Sequence, residues 1–406
     1  MTKKNIGSLY RNRKLEFDIV ISGASYIGMS LACLLAKHRL KIALIGDNYN
    51  NYHTTKSLPN KQFAIAAASI KFFQDIGIKK LLQDKGQPIN QVIVEDLVNN
   101  KQLIFNPSDL NLRSFGLMVD EKYLLHSLIF KINQHKNIIS YLKHQIIHVK
   151  DTPYNIDLLL SNQYLITSKL LIIAEGKNSK LRDVIGIKTK KLSYNQDAIV
   201  FNIKHQVNHN GRAIEKFFQS GPFAILPKKN RYHSCIVWTD SSNTGKLLVS
   251  MTKNDAKYLV SKKLDNFLGN IEITSDIIYF PLNLTYANNY FKGNSVLCGD
   301  AMHSIHPIAG QGLNLGLRDV QLLGKLIKDN INLGLPINSV TLLHKYNQQR
   351  EYDINLMINS THCINAIFST ELVPIQLLRK VGLNIINNIL PIKKYIMNYA
   401  SGFCNL

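Results

Sequence analysis

Short, unbroken apolar runs organise the first half of the chain. Phe17–Ser22 is rich in Ile and Val with no polar alternation, which predicts a strand buried on both faces. It leads into Gly23-Ala24-Ser25-Tyr26-Ile27-Gly28 and then into the helix-like run MSLACLLAKHRL. KIALIGD follows as a second buried strand ending in Asp47, so the segment predicts a βαβ unit. Phe63–Ile76 predicts a helix, Gln91–Glu95 and Gln102–Phe105 two strands about a turn, and Asp120–Gln134 an amphipathic helix. Ile138–Leu142, Ile146–Lys150, Ile156–Leu160 and Leu170–Ala174 predict further strands.

The texture changes from Leu192 to Pro281. There AIVFNIK, FAILP, HSCIVWT and DIIYFPL alternate with turns and one helix, Asn254–Leu268. Ser295–Cys298 returns to a buried strand, Gly312–Lys328 predicts a helix, and Ser339–Phe368 and Thr370–Ala400 are helical stretches. The pattern predicts an α/β (α+β) chain. An α/β domain spans 1–75, 100–190 and 284–368, an inserted mixed-sheet domain spans 76–99 and 191–283, and 369–406 is a C-terminal helical region.

Ile19–Ala36 has no charge and follows MTKKNIGSLYRNRK, which imitates a signal anchor. Its two Gly, three Ser and a Tyr, and its position after Asp18 in FDIVISG, favour a buried strand turning into a helix. Forty-nine Lys and Arg against 27 Asp and Glu give a net charge of +22. An anionic partner explains that excess, but so does an AT-rich genome, which yields Lys, Asn and Ile together as in LNIINNILPIKK. The Lys residues are scattered and no nucleic-acid-binding signature is present, so nucleic acid is not an expected partner. The odd number of cysteines, five, without CxxC, argues for a reducing compartment and against a disulfide scaffold. His303 and His306 have no Cys or third His placed to complete a metal site, so no metal is expected.

Three segments carry chemistry. In G-x-S-x-x-G, Gly23 permits a tight turn, Ser25 occupies the position of phosphate approach, and Gly28 allows close helix–strand packing. Asp47, 24 residues beyond Gly23, is placed to accept from ribose hydroxyls. The second segment, LLIIAEGKNSKLR, delivers Glu175 and Gly176 from a strand end, with Ser179 as a helix cap and Arg182 beyond. The third runs from Val296 to Asp319. A buried strand ends at Gly299-Asp300, and a loop containing Pro307, Gly310, Gln311 and Gly312 opens a helix carrying Asn314. Such a helix start can set N–H groups against a developing anion.

The pattern G-D-A-x-H-x-x-x-P-x-x-G-Q-G-x-N-x-G-x-x-D, with A-E-G-x-x-S-x-x-R upstream and the N-terminal dinucleotide motif, resembles the group A FAD-dependent aromatic hydroxylases. More narrowly, Glu215-Lys-Phe-Phe-Gln-Ser-Gly221-Pro222-Phe-Ala224-Ile-Leu226-Pro227, Val237-Trp238-Thr239, Tyr346…Arg350…Asp353 and Gly382-Leu383 resemble the ubiquinone-biosynthesis hydroxylases of the UbiH/UbiF type. The resemblance covers 16–402. It implies a p-hydroxybenzoate hydroxylase-like fold, a Rossmann-type FAD-binding domain with an inserted mixed β-sheet substrate domain. It implies non-covalent FAD with NAD(P)H as transient reductant. Asp300 would bind the ribityl chain, Pro307–Gly312 would line the isoalloxazine, and Glu175 and Arg182 would sit where FAD and NAD(P)H contacts meet.

The activity implied is hydroxylation of a polyprenylated phenol by O₂ through reduced flavin and a C4a-hydroperoxyflavin, in ubiquinone biosynthesis. Other proteins of that synthesis are implied partners. The apolar substrate implies a cytoplasmic protein held peripherally on the inner face of the membrane, with Thr370–Ala400 as the contacting helix and its Arg379, Lys380, Lys393 and Lys394 meeting anionic headgroups; packing of that helix's apolar face on the FAD-binding domain is the other reading of the same residues. Three residues depart from the family pattern: Ser25 for Gly, Glu175 for Asp, and Lys61 for an Arg near the FAD phosphates. They keep open an FAD-poor scaffold within a ubiquinone-synthesis assembly. A hydroxylase of a soluble aromatic acid is the other alternative. A halogenase is disfavoured because no WxWxIP motif exists.

Overall fold

The computed structural model describes residues 15–47, 61–99, 101–265, 267–306, 310–370 and 372–403. Strand Leu15–Ser22 lies between Leu165–Ile173 and Ile42–Gly46, parallel to both. Ile138–Leu142 extends this sheet on one side and Ser295–Leu297 on the other, again in parallel. Ile19, Val20, Ile21, Ile172 and Ile173 are wholly buried, as expected for strands covered on both faces. Helices Tyr26–Ala36, Glu121–Ile132 and Gln311–Asn332 supply the covering layer, the first packing on both others.

A second sheet runs in the order His303–Ser304, Ile278–Ala287, Thr189–His205, His233–Ser241, Gly221–Pro227, Arg212–Phe218, Gln91–Asp96, Lys101–Phe105. Its residues alternate between two apolar faces. Ile93, Ile199, Phe201, Phe223, Ile225, Ile236 and Trp238 form a core with Leu248, Ala256, Val260 and Leu264 from helices Ser242–Ser250 and Lys253–Leu264. The other face carries Val92, Val94, Ala198, Val200, Ala224, Leu226 and Val237, and these line a cavity shared with the first sheet.

The structure shifts the expected boundaries. Lys101–Phe105 pairs with Gln91–Asp96, so a division between 99 and 100 cuts a hairpin of the second sheet. Ile76, Ile78 and Leu82 join the first core, which places 76–85 with that sheet rather than with the insertion. The helix expected over Phe63–Ile76 begins at Ala67. Gln62–Ala66 is a strand paired with Gly116–Asp120, and Asn314 Oδ1 accepts the Ala66 N–H at 2.9 Å where strand turns to helix. The helical stretch at the C-terminus divides into Val373–Asn388 and Leu390–Ala400, with Pro391 at the start of the second helix. No helix among the described residues is long and apolar enough to cross a membrane.

Candidate functional site

The cavity between the two sheets encloses about 1330 Å³. That exceeds the roughly 300–1,000 Å³ of a single small-molecule site, so there is room for a cofactor and a substrate together. Gly23, Ser25, Asp47, Lys61, Glu175, Gly176, Asp300, Gly310, Gln311, Gly312 and Asn314 all line it. Sequence elements up to 291 residues apart therefore meet on one wall.

Gly23 has φ +121°, and a Cβ there would come within 2.2 Å of the Ala174 carbonyl oxygen. The turn thus requires glycine both for its backbone angle and for the close approach of Leu165–Ile173. A Cβ on Gly28 would stand 1.9 Å from the Gly23 carbonyl oxygen, so this glycine serves packing and does not face the cavity. Ser25 has an ordinary φ of −113°, and its side chain caps no helix N–H. Its backbone is therefore unstrained, and only its side-chain volume and hydroxyl distinguish it from glycine.

Glu175 is used within the protein. One carboxylate oxygen accepts from Ser22 Oγ at 2.6 Å, the other from Ser179 Oγ at 2.8 Å and from the Leu181 N–H at 3.3 Å. Its extra methylene thus lets it tie the end of the first strand to the start of helix Lys180–Val184. Arg182 is 2% exposed and absent from the cavity wall, contrary to its expected place in the cofactor contacts. Its guanidinium donates to the carbonyls of Lys177 and Ala301, fastening the 175–182 loop to the Gly-Asp loop. Gly299 lies behind that wall as well, with φ +65°. Pro307 lies outside the described residues.

Asp300 presents its surface to the cavity although protein surrounds it on most sides. That enclosure raises its carboxyl above the usual range, opposed by His303, Lys61 and Lys177. Behind it, Asp319 accepts from the Gly299 N–H at 2.8 Å, His303 Nε2 at 2.8 Å and Arg350 Nε at 2.6 Å. Burial alone would raise the Asp319 carboxyl, but His303 and Arg350 hold it below the carboxylate range. Arg350 also binds Asp353, which accepts from Arg318. His303 therefore braces the loop and is not on the cavity wall. Asn314 is similarly occupied, accepting from Ala66 N–H and Ser69 Oγ and donating to Ala64 and Gly310.

These residues fit a dinucleotide. Helices Tyr26–Ala36 and Gln311–Asn332 both begin at the cavity, and neither has a side-chain cap on its first N–H groups. Each start offers backbone donors and a positive dipole end to an anion. A Cβ on Gly312 would meet nothing within 4 Å, so the backbone there borders open space. Asp47 and Asp300 supply acceptors on the cavity wall, and Lys61, Lys177 and Lys180 supply positive charge.

Several wall residues escaped sequence reasoning. Phe217 stacks on Phe368 at 4.0 Å and 26°, and both face the cavity. Leu383, Ile386, Ile396 and Met397 close it from the C-terminal helices. The two-residue alternation in VIVED and RAIEKFF is the signal that could have shown which strand residues face inward.

The chain is similar to several known proteins. A ubiquinone hydroxylase of Rhodospirillum rubrum is 28% identical over 390 residues, spanning 96% of this chain and 90% of its own. The 3-demethoxyubiquinol 3-hydroxylase of Escherichia coli is 27% identical over 387 residues, spanning 95% and 98%. The p-nitrophenol 4-monooxygenase of Pseudomonas putida superposes with a TM-score of 0.78 at 12% identity, over 96% of this chain and 98% of that one, which shows a common fold. Residues 16–359 match the FAD binding domain family, and the chain belongs to it.

Proposed function

We propose that the chain hydroxylates the aromatic ring of a polyprenylated phenol in ubiquinone synthesis. The observation that carries this reading is the second sheet, apolar on both faces but packed directly on helices Ser242–Ser250 and Lys253–Leu264 on only one. The other face, which borders the cavity and is continuous with the FAD site, suits a ligand that is itself mostly apolar. The names of the Rhodospirillum and Escherichia relatives support the same substrate class.

FAD, bound non-covalently and reduced by NAD(P)H, supplies activation of O₂ for transfer of a hydroxyl group. Gly23, Ser25, Asp47, Lys61, Gly176, Asp300 and Gly310–Gly312 hold it from the cavity wall. Gly28, Glu175, Arg182, Gly299 and Asn314 hold the loops that present those groups. Phe217, Phe368 and the second sheet position the ring and exclude water.

The tail of such a substrate favours a membrane surface. Leu372, Leu377, Leu378, Val381 and Ile389 of the C-terminal helices are exposed, beside exposed Lys380 and Lys394. Arg379 and Lys393, expected to meet headgroups, instead turn inward to Asp96 and Asp109. The apolar rim thus contributes most, with each exposed Lys adding about 1 kcal/mol near anionic lipid. Leu377→Ser/Leu378→Ser should reduce flotation of the protein with anionic liposomes; unchanged flotation contradicts the contact. A deletion strain should accumulate a ubiquinone precursor lacking one ring hydroxyl. Normal ubiquinone in that strain contradicts the reaction.

A further inference from the structure

Strand Arg212–Phe218 places Ala213, Glu215 and Phe217 on the face that lines the cavity. Lys216 points the other way, where it meets Glu95 Oε2 at 3.3 Å and the Leu264 carbonyl at 3.4 Å. Glu215 is registered against Val94 on one side and Ala224 on the other, and both also line the cavity. A carboxylate is thereby set into an apolar wall, one residue from Phe217 on that face. Among the described residues, the other charged or titratable groups on the cavity surface apart from Cys235 are Tyr26, Asp47, Lys61, His144, Glu175, Lys177, Lys180 and Asp300, none of them on the second sheet. Cys235 shares the Glu215 wall, but burial pushes its thiol up to about 12 and keeps it neutral.

Resting on the proposed function, we infer that Glu215 is the acceptor for the phenolic proton of the ring being hydroxylated. An electron-rich ring carbon is what attacks activated oxygen, and a phenolate is far richer than a phenol. The phenol O–H bond breaks, its electron pair stays on the phenolic oxygen, and a new O–H bond forms on a Glu215 carboxylate oxygen. One oxygen atom of O₂ adds to the ring carbon as hydroxyl while the O–O bond breaks and the other oxygen atom leaves as water, on the two electrons that NAD(P)H supplies; the ring carbon then releases its hydrogen to water as a proton. The phenolic oxygen then recovers its proton from Glu215. A carboxylate offers about four lone-pair sites, so a protein partner on one leaves others for the substrate. The flat Phe217–Phe368 pair beside it gives the ring a surface to lie against.

The test compares holoenzyme and Glu215→Gln on a phenol bearing a short prenyl tail, with NAD(P)H and air. At neutral pH the variant should lose about 10²–10⁴-fold in kcat, with a smaller change in KM. FAD content should be unchanged. The loss should shrink toward pH about 10, where the phenol ionises unaided, and Glu215→Asp should restore part of the rate. Activity within about two-fold of wild type at neutral pH, or an equal loss at every pH, overturns the role of Glu215 alone. A wild-type enzyme that leaves the probe unhydroxylated overturns the underlying reading and this inference with it. If Glu215→Gln fails to hold FAD, the wild-type enzyme decides. The methyl ether of the probe should react about 10²-fold more slowly than the free phenol, and equal rates overturn the inference.

Discussion

Arg379 Nε donates to Asp96 Oδ2 at 2.7 Å, joining the C-terminal helix Val373–Asn388 to the end of strand Gln91–Asp96 across 283 residues of chain. Both side chains are almost wholly buried. Arg379 also donates to the carbonyls of Ile367 and Phe368, and its guanidinium lies 5.1 Å from the Phe368 ring centroid. Phe368 in turn stacks on Phe217. One ion pair thus holds the helix that closes the cavity, the aromatic pair inside it and the second-to-last strand of the second sheet.

Removing one partner should strand a buried charge. Arg379→Met is expected to cost about 3–5 kcal/mol, measured as a shift in the urea unfolding midpoint. The double variant Arg379→Met/Asp96→Asn should recover much of that loss. Equal losses in the single and double variants would show that Asp96 gains nothing from its partner.

Ser25→Gly should tighten FAD binding. With an ordinary backbone angle at Ser25, the gain comes from removing side-chain volume where the pyrophosphate approaches. Titration of apoprotein with FAD checks it. Weaker binding in the variant would make the Ser25 hydroxyl a phosphate donor.

Acid should loosen the fold below neutral pH. Burial lowers the His306 pKa from 6.5 to about 4, and it lowers those of His205 and His209 as well. A depressed folded-state pKa means that the native state holds these rings neutral. Their contribution is complete above pH 6.5 and declines as pH falls through the folded values. For His306 alone the decline amounts to about 3 kcal/mol. Thermal melts between pH 7 and about pH 4 should show it, and His306→Gln should flatten the slope. A midpoint independent of pH over that window contradicts the assignment.

Asp300→Ala removes a charged acceptor from the cavity surface. It should weaken FAD binding by at least about tenfold, since hydrogen bonds to charged groups contribute roughly 1.5–3 kcal/mol. The flavin absorbance of the purified variant reads the result, and retained stoichiometric FAD contradicts the role.

The strands of the first sheet were legible because burial on both faces leaves an unbroken apolar run, as in Leu170–Ala174. The Gly299–Asp319 segment was legible because its glycines and carboxylates serve one local turn. Strand Gln62–Ala66 was not, because QFAIA has no strong β signal. Its conformation is set by pairing with Gly116–Asp120 and by Asn314, which lies 248 residues away. Arg182 was read as a ligand contact because its spacing matches a motif. Sequence does not reveal that Lys177 and Ala301 use its guanidinium. The pairings of Arg379 with Asp96 and of Lys393 with Asp109 leave no local trace either, so those cations looked like free charge on an amphipathic helix.

Isotope transfer tests the central claim most directly. Purified holoenzyme is given NAD(P)H, a prenylated phenol and ¹⁸O₂, and the product is examined by mass spectrometry. The account predicts a ring-hydroxylated phenol carrying one oxygen atom from O₂. Oxidation of NAD(P)H with release of hydrogen peroxide and no labelled phenol, in FAD-replete enzyme, would contradict it.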